Sequence, residues 1–227
     1  AIICATDNLL SDSSGLSEEN KKQLVEEISI ASLRLNQQVE NLLSMSRLES
    51  GFIAPKKDWV DMNELVYNVI NRLENALKNH KIQISIEENL PYYKLDYGLM
   101  EQVLYNLLYN ASIYTPPYTE IQIHVKNNAD KIYKLDLDIH DQRRIRTETN
   151  FLVITVEDRG PGFPPEEIGK VFEKFYRLSN ARTGGTGLGL SIVKGFVESH
   201  NGTVTLENVP HGARFTIEIP AEISHIN

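Results

Sequence analysis

Between residues 24 and 45, apolar side chains recur at Leu24, Ile28, Ala31, Leu35, Val39, Leu42 and Met45, in steps of three or four residues. This near-heptad stripe predicts a long helix packed lengthwise in a bundle. Ser17 reads as its N-cap, with Glu18 and Glu19 at the positive end of the helix dipole. Gly51, followed by Pro55, reads as its stop. Before it, Ile2, Ile3, Leu9 and Leu10 read as the end of another helix, and Ser11–Gly15 as a turn. The apolar set also takes in Leu33, Leu43 and Leu48, more than one short helix can cover. A bundle completed by a second chain is the economical expectation, against packing on the chain's own globular domain.

The pattern changes after residue 55. Asp61 caps a predicted helix carrying Leu65, Val66, Val69, Ile70, Leu73 and Leu77. Lys81–Glu87 alternates as a strand with Ile82, Ile84 and Ile86 on one face. Asp96 starts a helix that ends before Pro116-Pro117. Ile121, Ile123 and Val125 mark a strand, and Phe151–Glu157 another, broken by Gly160-Pro161-Gly162. Pro165–Phe172 reads as a short helix, and Leu190–Ser199 as a helix opened by Gly184–Gly189. Thr203–Glu207 and Ala213–Ile219 read as a hairpin around Asn208–Gly212. The expected organisation is a helical hairpin over residues 1–54 and an α+β domain over residues 55–227.

Composition narrows the partners. The chain has 227 residues and a net charge of −8, which disfavours a bulk nucleic-acid binder because phosphate neutralisation needs clustered cations. The charge is uneven, however. Residues 170–194 hold Lys170, Lys174, Arg177, Arg182 and Lys194 against Glu173 alone, a local excess of +4 suited to a small anion. The single cysteine, Cys4, cannot form an internal disulfide, which fits a reducing compartment and a small buried apolar role. No apolar run is long enough to span a membrane. The chain opens in mid-pattern without Met, which suggests a piece of a longer protein, any anchor of which would lie outside these residues.

Three segments carry candidate chemistry. In Gly184-Gly185-Thr186-Gly187-Leu188-Gly189-Leu190, glycines permit close backbone approach to phosphate, and the following helix start offers N–H groups to an anion. No strand runs into these glycines as a dinucleotide fingerprint needs, and no Gly-Lys-Ser/Thr is present for a Walker loop. Asp158-Arg159-Gly160-Pro161-Gly162 puts a carboxylate at a strand end, able to accept from an exocyclic amine, beside glycines that leave room for a flat ring. Asn106 and Asn110 share a helix face at i, i+4, a pair of uncharged oxygen ligands suited to hydrated Mg²⁺. Taken singly, these are equally a flexible turn, a capping Asp and surface amides.

In order, Gln102–Ala111, Asp158–Gly162, Phe172–Arg177 and Gly185–Leu190 resemble the N, G1, F and G2 boxes of sensor histidine kinases. Asn41–Gly51 resembles the second helix of that family's dimerisation hairpin, and Lys56–Trp59 with Gly160–Pro165 resembles the potassium-responsive, Kdp-type members. The resemblance implies a two-layer α/β sandwich of the histidine-kinase/Hsp90-like ATPase type, preceded by a helical hairpin. It implies that Asn110 coordinates Mg²⁺, that Asn106 sits beside the phosphates, and that Tyr114 lies near the nucleotide. Asp158 would bind the adenine amine of ATP, with Gly160 and Gly162 shaping the pocket. Gly185, Gly187 and Gly189, with Thr186 and Leu188 between them, would hinge a lid over the triphosphate, and Phe172 and Phe175 would anchor that lid. Lys174, Arg177, Arg182 and Lys194 are candidates for phosphate contact from their charge. The implied partners are a second copy through the hairpin and a response-regulator receiver domain. The implied setting is the cytoplasmic part of a protein of the bacterial inner membrane.

Three departures stand against the family pattern. Ile113 replaces a lysine expected on the Asn106–Asn110 helix. Asn127–Asn150 is long for a connection between two strands, with an alternating stretch at Lys131–Ile139 and a basic run at Arg143–Arg146 that reads as solvated. The phosphoacceptor His box is absent, and His80, His124, His140, His200, His211 and His225 read as structural or solvated. His200, at a helix C-terminus, is placed where a cationic ring suits the dipole. The competing readings are a scaffold that lost activity and an ATPase of the gyrase or Hsp90 kind. The latter carries Glu where this chain has Asn106.

Overall fold

The structure, a computed structural model, describes residues 2–11, 17–51, 53–130, 149–178 and 185–224. The turn at Ser11–Gly15, the alternating stretch Lys131–Ile139, the basic run at 143–146, His140, His225, Arg182 and the side chain of Cys4 lie wholly or largely outside the described residues. The chain divides into two compact units, Ala1–Gly51 and Phe52–Asn227.

In the first unit, α1 (Ile2–Ser11) packs on α2 (Glu18–Glu49). Ser17 caps α2 as expected, accepting from the Asn20 N–H at 3.2 Å. Gly51 ends the helix in the left-handed region, φ +69°, where a glycine avoids the Cβ clash. Met45 is buried, whereas Val25, Leu35, Val39, Leu42 and Leu43 stay exposed. No helix among the described residues is long and apolar enough to cross a membrane.

The second unit is a two-layer α/β sandwich. Its main sheet has the order β2 (Lys81–Ile86), β4 (Glu120–Asp130), β5 (Thr149–Asp158), β7 (Gly212–Ala221), β6 (Thr203–Val209). β2 and β4 are parallel, and the other pairs are antiparallel. A small second sheet joins β1 (Asp58–Val60), β3 (Tyr92–Leu95) and β8 (Ile223–Ser224). The helices are α3 (Met62–Arg72), the short α4 (Glu74–Leu77), α5 (Tyr97–Tyr114) and α6 (Gly189–Ser199). Strand alternation sorts the main sheet into two faces. Ile121, Ile123, Val125, Leu152, Ile154, Val156, Ile217 and Ile219 are buried with Leu104, Leu107, Ile192 and Phe196 of the helices. The other face is polar: Glu157 stands opposite Arg214 and accepts from it at 2.7 and 2.9 Å.

Two expected helices differ in the structure. The helix begun at Asp61 stops at Leu73, whose N–H reaches the carbonyls of both Val69 and Ile70, and restarts as α4. Leu73 and Leu77 remain buried, so the apolar face is kept. Between Pro165 and Phe172 only Ile168–Lys170 winds, as a 3-10 turn. It buries no residue and contains Gly169, so it lacks the apolar face that stabilises a short helix.

His200 also differs. It is fully buried, and it is neutral rather than cationic. Its Nε2 accepts from the Asp96 backbone N–H at 3.0 Å, and its Nδ1–H donates to the Phe196 carbonyl at 2.8 Å. A ring that accepts at one nitrogen and donates at the other carries one proton. Burial, with Lys57 nearby, holds its pKa below the ordinary 6.5. Asp96 joins three segments through this contact. Its Oδ1 caps α5 at the Leu99 N–H (3.1 Å), and its Oδ2 accepts from the Lys56 N–H (2.7 Å).

Because the native ring resists protonation, the unfolded chain binds the extra proton first. The stability contributed by His200 is complete above pH 6.5 and declines as pH falls below it. Urea denaturation is expected to show that decline in the wild-type chain. His200→Ala is expected to be less stable at pH 7.5 by about 2 kcal/mol, the cost of an unmet buried N–H plus a cavity, with a flatter pH profile.

Candidate functional site

The geometry at the two ends of α5 and α6 shows how they run. His200, just past the end of α6, bonds to Asp96, just before the start of α5. At the other end, Gly189 opens α6 beside α5. A Cβ placed on Gly189 would lie 3.8 Å from both Asn106 Oδ1 and Asn110 Nδ2. The two helices are therefore antiparallel, and the i, i+4 amide pair faces the first turn of α6. Asn106 is buried. The first turn of α6 has no side-chain cap, so its leading N–H groups are available to an anion.

The loop before α6 is tightly seated. Gly187 has φ +70°, and a Cβ there would sit 2.6–2.8 Å from the Phe175 and Tyr176 backbone. Thr186 Oγ1 accepts from the Leu188 N–H at 3.4 Å, and Leu188 is fully buried. Gly185 lies near the Tyr114 hydroxyl and the Arg177 Nε, at 3.5 and 4.0 Å from its Cβ position. Tyr114 and Arg177 are thus beside the loop. Lys174 is exposed in the preceding segment. Lys194 is directed elsewhere: it sits in the second turn of α6 and pairs with Glu198 at 3.8 Å.

Asp158 forms the other wall. The register pairs it with Ile121, so its side chain emerges on the helix-covered face of the sheet. Burial there raises its pKa above the usual carboxylate value, opposed by hydrogen bonds from the Gly160 and Ala213 backbones. The Gly160 N–H donates to Asp158 Oδ1 at 2.7 Å. A Cβ on Gly160 would meet that oxygen at 2.8 Å and Thr115 Cγ2 at 3.0 Å. Gly162, at φ +71°, is held by Asn208, whose amide accepts from the Phe163 N–H and donates to the Phe163 carbonyl. Thr115, Asn208 and Gly212 were not distinguished by the sequence patterns. A Cβ on Gly212 would lie 1.9 Å from the Asp158 carbonyl oxygen, so the β6–β7 turn is pressed onto this strand end.

The aromatic anchor is half of what was expected. Phe172 packs edge-on to Phe215 at 6.4 Å between centroids. Phe175 is 64% exposed with φ +62°. It supports the loop through its backbone, which Gly187 approaches, rather than through its ring. Tyr176 secures the same segment by donating to Glu167 at 2.7 Å, a bond that pushes its phenol up to about 12.

Comparisons with known proteins agree with this fold. Residues 95–223 match the family described as histidine kinase-, DNA gyrase B- and HSP90-like ATPase. The chain is 31% identical over 224 residues to the sensor protein KdpD of Clostridium acetobutylicum, covering 96% of this chain and 23% of that protein. It is 32% identical over 194 residues to the sensor protein kinase WalK of Staphylococcus epidermidis, covering 84% of this chain and 29% of that protein. The chain thus spans about a quarter of the length of these curated relatives. Among solved structures, the catalytic domain of the histidine kinase ThkA aligns with TM-score 0.58 and 26% identity, covering 73% of this chain and 95% of that one.

The glycines separate by what surrounds them. Gly187→Ala is expected to cost about 1–3 kcal/mol, since both its φ and the backbone contact oppose a side chain. Gly189→Ala meets only ordinary contacts and is expected to leave stability within about 0.5 kcal/mol of wild type. Chemical denaturation of the two variants checks the contrast.

Proposed function

The chain belongs to the histidine kinase-, DNA gyrase B- and HSP90-like ATPase family, as the ATP-binding catalytic core of a sensor histidine kinase, and we propose how its residues divide the work. The observation that carries the proposal is the convergence on the C-terminal half of α5. Asn106 and Asn110 face the start of α6, while Thr115 abuts the Asp158–Gly160 turn. Asp158 accepts from the adenine amine, and Gly160 and Gly162 leave space for the ring. The triphosphate lies along Asn106 and Asn110 toward the α6 N-terminus and Arg177.

The donor set fits Mg²⁺ shared with phosphate. The Asn110 amide oxygen is a hard neutral ligand, and the absent side chain at Gly189 leaves a cradle between helix start and amides. When bound, the metal neutralises charge on the phosphate oxygens. The protein's own contribution is positioning and electrostatic stabilisation, supplied by helix-start N–H groups, amides and the Arg177 cation. Arg177, beside Gly185, takes up part of the role of the lysine that Ile113 replaces. Asn106 cannot act as a general base, which disfavours activation of water and favours transfer to another nucleophile.

We infer that this nucleophile is a histidine imidazole outside these 227 residues. The γ-phosphoryl passes to it and then to an aspartate of a response-regulator receiver domain. The exposed stripe Leu35, Val39, Leu42 on α2 supports a homodimer formed through the hairpin, in the cytoplasmic part of a membrane-anchored protein. Alone, the chain binds ATP without phosphorylating itself.

Supplied with an acceptor helix that carries such a histidine, the wild-type chain and [γ-³²P]ATP are expected to give an acid-labile, base-stable phosphoprotein. Asn110→Ala is expected to reduce its rate about 100-fold or more. Binding of ATP with no transfer to the helix would support the inactive-scaffold reading instead.

A further inference from the structure

His80 lies between α4 and β2, outside every motif that pointed to the nucleotide, yet its ring reaches the adenine side of the site. Its Nε2 is 3.0 Å from Thr115 Oγ1. The Thr115 hydroxyl proton is already directed to the Ala111 carbonyl at 2.7 Å, so Oγ1 accepts and His80 Nε2–H donates. The other ring nitrogen, Nδ1, is buried with no hydrogen-bond partner among the described residues. That cost is accepted at a residue whose single bond, added to the Ala111 bond, holds one rotamer of a buried threonine. The fixed rotamer matters because Thr115 Cγ2 stands 3.0 Å from the Cβ position of Gly160. Gly160 in turn holds Asp158 Oδ1 at 2.7 Å. The surrounding turns are already joined by backbone bonds, Tyr118 N–H to the Asn79 carbonyl and Lys81 N–H to the Thr119 carbonyl. The turns thus have backbone bonds of their own, and the His80 bond adds a contact to the Thr115 side chain.

We propose that His80 is a positioning residue for base recognition, acting through Thr115 and Gly160 to hold the Asp158 carboxylate at a purine 6-amino group. The inference rests on the reading of Asp158 as the adenine acceptor. A carboxylate held in one direction favours a 6-amino over a 6-oxo purine, because the oxo group offers it no proton. A carboxylate free to turn discriminates less. His80 should therefore set the preference for ATP over GTP more than it sets phosphate affinity.

The test is competitive nucleotide binding to the 227-residue chain, with ATP and GTP titrated in parallel and thermal unfolding recorded for each variant. The wild-type chain is expected to prefer ATP. His80→Ala is expected to narrow the ATP/GTP preference about three- to tenfold, the range one hydrogen bond supplies. His80→Gln, whose amide Nε2 can donate along the same path, is expected to restore it. Thr115→Val keeps the shape but cannot accept, so it should narrow the preference equally, and adding His80→Ala to it should change nothing further. An unaltered preference in His80→Ala with only a lowered melting temperature would overturn the proposal, as would failure of the Gln variant to restore it. If His80→Ala does not fold, a normal preference in Thr115→Val overturns it alone. A wild-type chain that binds neither nucleotide removes the adenine reading and this inference together.

Discussion

Asp96 and His200 meet at one end of an antiparallel helix pair whose other end is the candidate site. The backbone N–H of Asp96 is held by a neutral imidazole, one carboxylate oxygen caps α5, and the other receives the Lys56 N–H. This marks where α5 starts and where α6 stops, and ties the two ends together. With that end set, the lengths of the two helices bring Gly189 beside Asn106 and Asn110. The amides can face the first turn of α6 only because the pairing runs in opposite directions. His200, at the end of the pair opposite the candidate site, thus helps to set the geometry of Asn106, Asn110 and Gly189.

The second wall is set by β-sheet register. Pairing Ile121 with Asp158 turns the carboxylate toward the helices, whereas a slip of one residue would direct Glu157 there instead. Glu157 in the observed register is neutralised by Arg214 on the polar face. Neighbouring acids in sequence therefore have separate roles. The close approach of Gly212 to the Asp158 carbonyl, and the clamp of Asn208 on Phe163, hold this strand end from the side opposite Thr115.

Much of this was legible in the sequence where a periodic element carried it. The long α2, the capped α5, the alternating β4 and β5 and the hairpin all have enough apolar positions to fix their period. The strands β1, β3 and β8 have two to four residues each, too few for alternation to show, and they exist because they pair with each other. The Pro165–Phe172 helix failed for the converse reason, since helix-compatible residues without a buried face gain no packing. At the candidate site, the ordered boxes pointed to Asn106, Asn110, Asp158 and the glycines. They could not reveal Thr115, His80 or Gly212, whose roles arise from contacts between distant segments. His200 was located correctly, but its charge state depends on burial, and an exposed ring at a helix end would have been cationic.

In the proposed binding mode one nucleotide bridges the Asp158–Gly162 turn and the first turn of α6 across the C-terminal half of α5. Amide hydrogen exchange of the 227-residue chain tests it most directly, with Mg·ATP, with adenosine and without ligand. Mg·ATP is expected to protect residues 158–162 and 189–191 together, and adenosine only the first segment. Protection at only one segment by Mg·ATP, or at neither, would contradict it.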